Sequence, residues 1–294
     1  MFSVIIPLYN KEKYIYDTIK SVLCQTYADF EIIVVNDSST DRSLEIVSQV
    51  NDVRLKVYTK PNGGVSAARN YGIKKASHEF IAFLDADDLW EPVYLENVAS
   101  AIKLFPSCGM IHTGYKMFEG EINNIVGIRN AMKVCPSDMF EVQDYFKACY
   151  NVRTVLGLTS AVCIKKSLLD SMENPFRIGV NCGEDADLWL RVACVTNVAY
   201  INKPMMLYRY ATENSLFVTN FLQSSDIDYT LWYSLTSESK YKYLFLNLFV
   251  GRYAFGLLKV GEKVKAKTIL NAMHGKMDLK TRIKYIISKI WITL

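Results

Sequence analysis

Three carboxylates stand close together in the sequence, and their spacing suits a divalent metal ion. Asp85, Asp87 and Asp88 lie within four residues, directly after the apolar run at residues 80–84. Carboxylates this close repel one another unless a cation or solvent neutralises them, and Mg²⁺ and Mn²⁺ bind carboxylate and phosphate oxygens. An extended backbone places Asp85 and Asp87 on the same side. The pattern therefore indicates a metal site; the alternative is a solvated turn in which Asp88 caps the next helix.

A second acidic segment, Glu184 and Asp185, stands at the start of a helix predicted over residues 185–194. The helix dipole stabilises carboxylates at that end, so capping alone explains the pattern. The alternative is a carboxylate that points into a cleft and accepts a proton from an attacking hydroxyl group. The residues by themselves leave both interpretations open.

Two further polar residues are candidates for binding a nucleotide. Asp37 ends the second β-rich run, where it either caps the next helix or accepts the imide N–H of a uracil or thymine base. Arg69 lies near the start of the small-residue helix that follows Gly63 and Gly64. An arginine there is either a surface residue or a partner for a phosphate group or for the acidic cluster at 85–88.

The first hundred residues alternate strand and helix patterns, which brings these polar residues to one edge of a sheet. Strands are predicted at residues 3–8, 31–35, 53–58 and 80–84. Strands joined by helices form βαβ units and a mainly parallel sheet, which binds ligands at the carboxyl ends of its strands. Tyr9, Asp37 and the acidic cluster all follow strands, so we expect them to meet there. Asn10 is expected to cap the first helix.

The second half is less regular and leads to a helical C-terminal segment. Strand-like runs occupy residues 110–118, 159–165 and 198–210, and helix-like runs occupy residues 138–150 and 185–194. From about residue 221 the pattern is helical and aromatic. We therefore predict an α/β fold, with a Rossmann-like, mainly parallel sheet and flanking helices over residues 1–215 and a helical C-terminal extension over residues 216–294.

Charge and cysteine content exclude several classes of protein. The chain of 294 residues carries 34 basic and 30 acidic residues, for a net charge of +4. Residues 259–294 hold nine basic and two acidic residues, so the remainder is net negative, unlike a uniformly basic nucleic-acid binder. Seven cysteines without a CxxC pair indicate free thiols in a reducing compartment and no zinc or iron–sulfur site. These features favour the cytoplasm.

The apolar segments are too short for a membrane span. The longest, at residues 243–258, has 16 residues and contains Arg252, whereas a spanning helix needs about 20 apolar residues. No secretory signal is expected at the N-terminus. A helix predicted over residues 281–292 combines basic residues with four isoleucines on one face: Ile283, Ile286, Ile287 and Ile290. We interpret it as an interfacial membrane helix, or as a terminal helix that packs on the protein or on a second copy.

In order and spacing, five segments resemble the motifs of the GT-A-fold glycosyltransferases of family 2, the large inverting group. They are residues 4–10, 34–41, 63–72, 83–88 and 183–185, and they extend over roughly residues 1–210. The resemblance implies transfer of a hexose or N-acetylhexosamine from a nucleoside diphosphate donor, a UDP-sugar in the first instance, to a hydroxyl group of a glycan or lipid-linked acceptor. It also implies Mn²⁺ or Mg²⁺ as cofactor and a place in cell-envelope polysaccharide biosynthesis.

The resemblance assigns a role to each matching residue. Those that would bind the nucleotide-sugar are Pro7, Tyr9, Asn10, Asp37, Arg69, Asp85 and Ala86. Asp87 and Asp85 would bind the metal ion. Asp185 would be the catalytic base, and Glu184 would position the acceptor or the sugar.

Two positions depart from the family pattern. Asn36 replaces the usual acidic residue before Asp37, and Ala211 occupies the place of a histidine near the diphosphate, where Arg209 could substitute. Asn36 should have little effect because Asp37 is retained, whereas Ala211 argues against a direct phosphate or metal contact from the loop after residue 209.

Two other classes of function stay open. A sugar nucleotidyltransferase would need a glycine-rich phosphate loop after the first strand, which the chain lacks. A non-catalytic, donor-binding subunit of a glycan-assembly complex would not need Asp85, Asp87 and Asp185, all of which the chain retains. The expected setting is cytoplasmic, with contact to the inner face of the plasma membrane through residues 279–294, with self-association and without nucleic acid.

Overall fold

The structure is a computed structural model of the chain, and it describes residues 1–129, 137–180, 183–210 and 229–293. Ala211, Cys135 and Cys182 lie outside the described residues, as does the side chain of Ile290. The five cysteines within the described ranges are free thiols.

A ten-stranded sheet forms the centre of the fold. Its strands are β1 (Phe2–Leu8), β2 (Phe30–Asn36), β3 (Leu55–Thr59), β4 (Phe80–Phe83), β5 (Leu89–Trp90), β6 (Cys108–Phe118), β7 (Ile125–Arg129), β8 (Met139–Glu141), β9 (Val162–Lys165) and β10 (Asn197–Arg209). The main path runs β3-β2-β1-β4-β9-β6-β10-β5, while β7 pairs with β6 and β8 pairs with β10. Neighbours among β1 to β4 pair in parallel, as do β6 and β10, whereas β9 and the short strands β5, β7 and β8 run antiparallel to theirs. The predicted α/β fold with a mainly parallel sheet is confirmed.

Helices flank this sheet and continue after it. They are α1 (Ile15–Leu23), α2 (Ser43–Ser48), α3 (Gly64–Lys75), α4 (Tyr94–Leu104), α5 (Tyr145–Val152), α6 (Lys166–Asp170), α7 (Glu184–Ala193), α8 (Thr230–Tyr233), α9 (Lys242–Lys259), α10 (Lys263–Ala272) and α11 (Leu279–Thr293). A 3₁₀ turn at Thr159–Ala161 precedes β9.

Two hydrophobic clusters cover the two faces of the sheet. β1 and β2 are buried along their whole length, which explains why their sequences are mostly apolar rather than alternating between apolar and polar residues. On one face Val4 and Ile6 pack with residues of α1 and α4, and on the other Ile5 packs with residues of α3, α5 and α7. The alternation of side chains along β1 thus anchors helices on both sides of the strand that leads into the site.

The expectation that Asn10 caps the first helix is wrong. α1 begins at Ile15 after Tyr14, and no side chain caps it. Asn10 has a φ of 52°, in the left-handed region that asparagine tolerates better than most residues. Its Oδ1 accepts a hydrogen bond from the backbone N–H of Thr40 over 2.8 Å. The residue therefore ties the loop after β1 to the loop after β2.

The helix expected over residues 138–150 is also partly wrong. Its first part is strand β8, which pairs antiparallel with β10, and α5 begins only at Tyr145. Asp144 caps α5 by accepting a hydrogen bond from the N–H of Lys147 over 2.9 Å. The periodicity misled because a partner strand more than fifty residues away along the chain, rather than local sequence, stabilises β8.

The C-terminal helices share a hydrophobic cluster with the sheet domain. Phe245 of α9 and Leu270 of α10 belong to the same cluster as Trp189 of α7 and Phe146 of α5. α11 packs against α9 and α10. Within the described ranges, the helices fall short of the length and apolar character that crossing a bilayer requires.

Candidate active site

The loops after β1, β2 and β4 meet at the carboxyl edge of the sheet. The backbone N–H of Asp37 donates to the carbonyl of Leu8 over 2.9 Å, and that of Leu84 donates to the carbonyl of Ile5 over 3.0 Å. The ladder therefore continues to the point where Asp37 and Asp85 leave the sheet. Adjacent parallel strands end side by side, so residues far apart in sequence come together here.

Arg69 joins the acidic cluster to the acidic start of α7. Its Nη2 donates to Asp85 Oδ1 over 2.7 Å, and its Nη1 donates to Glu184 Oε1 over 2.8 Å. The side chain is 3% exposed, and its guanidinium lies 5.1 Å from the ring centroid of Phe176. Burial alone would lower the pKa of Arg69, but the carboxylates of Asp85 and Glu184 raise it above its ordinary value. The arginine stays charged and fixes both carboxylates.

One nitrogen of this arginine lacks a partner. Arg69 Nε is buried and makes no hydrogen bond to any described residue. Buried N–H groups are nearly always paired in proteins, and an unpaired one often marks a place where a ligand or water binds.

Asp185 has the properties of a general base at neutral pH. It is the second residue of α7, and its carboxylate accepts hydrogen bonds from the N–H of Ala186 over 2.6 Å and from Thr159 Oγ1 over 3.4 Å. Burial and then the negative charge of Glu184 raise the pKa of Asp185 from 3.8 to about 7, against the attraction of Arg69. A base works best when its pKa lies near the working pH. The structure thus gives Asp185 a proton affinity that the sequence did not reveal.

Asp88 is the structural member of the acidic cluster. It is 2% exposed, and its carboxylate accepts hydrogen bonds from Ser160 Oγ over 2.6 Å and from the N–H of Arg209 over 3.1 Å. Burial and then the charges of Asp87 and Asp85 raise the pKa of Asp88 well above its ordinary value. Asp88 does not cap a helix, because strand β5 follows it. Its bonds hold the loop that carries the other two carboxylates.

Asp85 and Asp87 are the members of the cluster that remain accessible. Their side chains are 34% and 16% exposed. Asp85 is bound by Arg69, as described above, and Lys11 Nζ donates to Asp87 Oδ2 over 2.6 Å. Asp87 therefore already accommodates a positive charge beside it.

The donor set of this edge fits a hard cation that shares its coordination with a ligand. Within the described ranges, no three His, Cys, Asp or Glu side chains form a group that could hold a metal ion by themselves. Asp85 and Asp87 offer only carboxylate oxygens, which Mg²⁺ and Mn²⁺ prefer. Mg²⁺ commonly binds one or two carboxylates and completes its coordination with substrate phosphates and water.

Two hydroxyl groups that the sequence did not single out hold the acidic loop. Ser160 Oγ accepts from the N–H of Asp85 over 3.0 Å while it donates to Asp88. Thr18 Oγ1 lies 3.0 Å from the carbonyl of Ala86 and 2.9 Å from that of Asp88. Both residues belong to segments remote from residues 85–88, so only the folded chain reveals their role.

Asp37 is held by its own chain. Its carboxylate accepts hydrogen bonds from Lys60 Nζ over 2.6 Å and from the N–H groups of Gly63 and Gly64, at 3.0 and 2.7 Å. The side chain is 4% exposed. These bonds connect the end of β2 to the start of α3, the helix that carries Arg69.

The other residues of the first two loops differ in exposure. Pro7 is buried in β1 beside Val35 of β2, and Ala86 is 3% exposed. Tyr9 is 49% exposed at the carboxyl edge. Of the residues assigned to the nucleotide, Tyr9 therefore offers the most surface to a ligand.

Arg209 lies next to the acidic cluster. Its Nε donates to the carbonyl of Asp87 over 3.1 Å, and its guanidinium stacks 4.8 and 4.6 Å from the ring centroids of Tyr14 and Phe118. Arg209 is the residue expected to substitute for the family's histidine near the diphosphate, and Ala211, which occupies the place of that histidine, lies outside the described residues.

Asp187, the third acid of α7, points away from the cluster. It is 1% exposed, and its carboxylate binds Arg177 Nε and Arg191 Nε, both over 2.9 Å. It also accepts a hydrogen bond from Trp232 Nε1 over 2.9 Å. These bonds fasten the helix of Glu184 and Asp185 to α8.

Comparison with known proteins gives concordant matches. The family model described as glycosyl transferase family 2 matches residues 3–139. WfgD of Escherichia coli, a UDP-Glc:alpha-D-GlcNAc-diphosphoundecaprenol beta-1,3-glucosyltransferase, is 33% identical over 221 residues, which cover 75% of this chain and 80% of that protein. An uncharacterized glycosyltransferase of Rickettsia conorii is 31% identical over 229 residues, which cover 74% of this chain and 34% of that protein. The chain thus spans about a third of the length of the Rickettsia relatives that it matches.

A solved structure has the same fold. The crystal structure of residues 1–349 of S. aureus TarS in complex with UDP-GlcNAc matches 98% of this chain and 79% of that chain, with a TM-score of 0.69 and 22% sequence identity. At this identity the likeness establishes the arrangement of strands and helices, which is that of GT-A glycosyltransferases.

Proposed function

The chain belongs to glycosyltransferase family 2, and on that basis we propose that it transfers a sugar from a UDP-sugar to a hydroxyl group of a glycan or lipid-linked acceptor. The observation that carries the proposal is the arrangement in which Arg69 holds Asp85 and Glu184 on either side of it, next to Asp185 with its pKa near 7. The name of WfgD describes such a donor and a diphosphoundecaprenol acceptor. A role in cell-envelope polysaccharide synthesis is part of this proposal.

In the proposed reaction Asp185 acts as the catalytic base. Its carboxylate takes the proton from the acceptor hydroxyl group while the oxygen attacks the anomeric carbon. The bond from that carbon to the diphosphate breaks in the same displacement, and the electron pair leaves with the nucleoside diphosphate. One displacement inverts the configuration of the anomeric carbon. Glu184 positions the acceptor or the sugar, and Arg69 keeps Glu184 in place.

The loops after β1, β2 and β4 form the proposed donor site. Tyr9, which is exposed, would pack against the base, and Asp37, held beside Lys60, would accept the imide N–H of uracil. Pro7, Asn10 and Ala86 shape the backbone around the nucleoside. Arg69 Nε, which has no partner among the described residues, is a donor available to the ligand.

A divalent ion is the proposed cofactor. Asp87, with Asp85, would hold Mn²⁺ or Mg²⁺, and a bound ion would supply Lewis-acid stabilisation of the charge on the leaving diphosphate. Lys11 lies on Asp87 at 2.6 Å and neutralises it in the absence of other cations. Asp87→Asn should abolish the stimulation of transfer by Mn²⁺ while leaving α-helical content unchanged.

The test is turnover of a panel of nucleotide-sugars, first UDP-glucose and UDP-GlcNAc, with and without Mn²⁺. We expect release of UDP that depends on Mn²⁺ and falls at least about a thousandfold in Asp185→Asn, whereas the exposed control Asp170→Asn should retain it. Equal rates in Asp185→Asn and the unmodified protein would contradict the assigned base. Pyrophosphate formation from a nucleoside triphosphate and a sugar phosphate would indicate a nucleotidyltransferase, and donor binding without turnover a non-catalytic subunit.

The C-terminal extension, residues 216–294 in our proposed division of the chain, is the part that would meet a membrane. On α11, Ile283, Ile286 and Ile287 are each about half exposed, while Thr281 and Ser288 are buried against the protein. An exposed apolar face flanked by lysines suits an interfacial helix. We propose peripheral attachment at the cytoplasmic side of the membrane. Ile283→Ser with Ile287→Ser should weaken co-sedimentation with anionic vesicles, and unchanged binding would contradict this contact.

A further inference from the structure

A cavity lies away from the carboxyl edge of the sheet, among α9, α10, α11 and the end of α5. Its volume of about 180 Å³ is more than ten times the roughly 15 Å³ that one water molecule needs. The inner wall is apolar and includes Leu270 and Met273, which are 1% and 6% exposed. The cavity is therefore large enough for a polyatomic ligand, and it uses no residue of the candidate active site.

Four basic side chains line this cavity, and they come from three parts of the chain. Arg153 follows α5, Arg252 belongs to α9, and Lys280 and Lys284 lie one turn apart on α11. The hydroxyl-bearing residues Thr281 and Ser288 are also in the lining and are 6% and 1% exposed. A wall that combines cations with hydroxyl groups has the chemistry of an anion site.

The backbone of Arg153 holds the guanidinium group of Arg252 at the cavity. Arg153 has a φ of 64°, in the left-handed region, where it ends α5. Its carbonyl accepts a hydrogen bond from Arg252 Nη1 over 2.9 Å, which keeps the α9 arginine beside it. A non-glycine residue held in this region often marks a functional site.

The lining of the cavity contains four basic side chains and no acidic one. The nearby carboxylate of Asp278 accepts hydrogen bonds from Tyr150 Oη over 2.9 Å and from the N–H of Thr281 over 2.7 Å, and its negative charge attracts Arg153. One acid therefore offsets only part of the positive charge. Among the described residues, the recorded ion pairs involve none of the four basic side chains. Like charges that converge on a pocket repel one another and attract an anion.

We propose that this cavity binds the phosphate group of an anionic membrane lipid. The source is a lipid rather than a soluble phosphate because Lys280 and Lys284 alternate along α11 with the exposed Ile283 and Ile287. A helix that presents basic and apolar side chains in this way lies in the boundary between head groups and acyl chains. The apolar inner wall then faces the part of the lipid next to its head group. The inference rests on the proposed membrane contact of α11 and not on the proposed transferase chemistry.

The test measures co-sedimentation of the full chain with phosphatidylcholine vesicles, with and without phosphatidylglycerol. Lys280→Gln with Lys284→Gln removes two charges from the cavity, and Lys263→Gln with Lys267→Gln removes two from exposed positions on α10 that are outside the lining. We expect the cavity variant to bind anionic vesicles about 30-fold more weakly, since each basic residue near such a surface contributes about 1 kcal/mol. The α10 variant should weaken by less than about threefold. Thermal unfolding and donor turnover should be the same in all three proteins.

Several results would overturn the proposal. Equal weakening in the two variants would mean a diffuse attraction between the basic extension and the surface, with no site. Equal binding to vesicles of phosphatidylcholine alone would exclude recognition of an anionic head group. Thermal stabilisation of the unmodified protein by inorganic phosphate without any vesicle binding would identify a soluble phosphate ligand instead. Loss of vesicle binding in Ile283→Ser with Ile287→Ser, but not in the cavity variant, would leave only the apolar face as the contact.

Discussion

Neutralising Glu184 should move the pH dependence of sugar transfer to lower pH. Asp185, the proposed base, must be deprotonated to accept a proton, so kcat/KM of the unmodified protein should rise with a midpoint near pH 7, where the pKa of Asp185 lies. The charge of Glu184 is the second cause of that raised pKa, after burial. Glu184→Gln removes this charge but leaves Arg69, whose charge lowers the pKa. The base should therefore lose its proton at lower pH.

The size of the shift follows from Coulomb's law. Consecutive residues on a helix point about 100° apart, so we take the two carboxylates to be about 8 Å apart. At an effective dielectric constant of about 20 their repulsion is about 2 kcal/mol, and one pKa unit corresponds to about 1.4 kcal/mol. Since Asp185 is partly exposed to solvent, we expect a shift of about one unit. At pH 6 the deprotonated fraction of Asp185 should then rise from about one tenth to about one half.

The assay is kcat/KM for UDP release from the active donor, measured from about pH 5 to pH 9 and normalised to the plateau at high pH. Glu173→Gln, which removes an exposed acid from the loop before α7, is the matched control and should keep its midpoint near that of the unmodified protein. The height of the plateau should fall in Glu184→Gln because Arg69 loses a partner, but only the midpoint tests the reasoning. An unchanged midpoint, or the same shift in both variants, would refute it.

Three further substitutions test other parts of the structure. Asp185→Asn should abolish transfer and raise the free energy of unfolding at pH 8 by about 1–3 kcal/mol. The pKa of Asp185 in the folded state, near 7, exceeds the unfolded value of 3.8, so the unmodified protein loses stability as the pH rises between these values. Denaturant unfolding should show no such gain near pH 4, and a gain independent of pH would contradict the linkage. Asp187→Ala should lower the urea midpoint by the equivalent of about 3–5 kcal/mol, because Arg191 loses its buried partner; an unchanged midpoint would contradict this. Gly72→Ala should cost about 1–3 kcal/mol, because a Cβ there would lie 2.6 Å from Ile5 Cγ2, whereas helix propensity alone predicts a gain.

The strands that lead into the site could be predicted because buried strands have short, mostly apolar sequences that can be recognised locally. β1 and β2 are buried on both faces, so after the second residue of each (Ser3 and Glu31) the sequence is an apolar run, and polar residues such as Asn36 and Asp37 mark its end. The meeting of Arg69 with Asp85 could also be anticipated, because both lie at the same edge of a parallel sheet.

The features that could not be predicted depend on partners distant in the sequence. Ser160 gives no local signal, yet its hydroxyl group holds the acidic loop through Asp88. Lys11 follows Tyr9 and Asn10 in the sequence without revealing that its ammonium group reaches Asp87. The pKa of Asp185 results from burial that only the packed helices create. In each case the feature depends on a contact between segments far apart in the sequence, and no sequence pattern indicates that these segments meet.

The hydrogen bond from the indole of Trp232 to the carboxylate of Asp187 means that the C-terminal part of the chain helps to hold α7 in position. Asp185, the proposed base, and Asp187 both lie in the first turn of α7, and Trp232 of α8 binds Asp187. The distance from the proposed base to a substrate would therefore be set partly by residues that do not contact the substrate. A truncated protein that ends before α8 would lose this hydrogen bond together with the C-terminal helices. Exchanging tails between related enzymes should succeed only where the incoming segment brings an equivalent N–H donor to the same carboxylate.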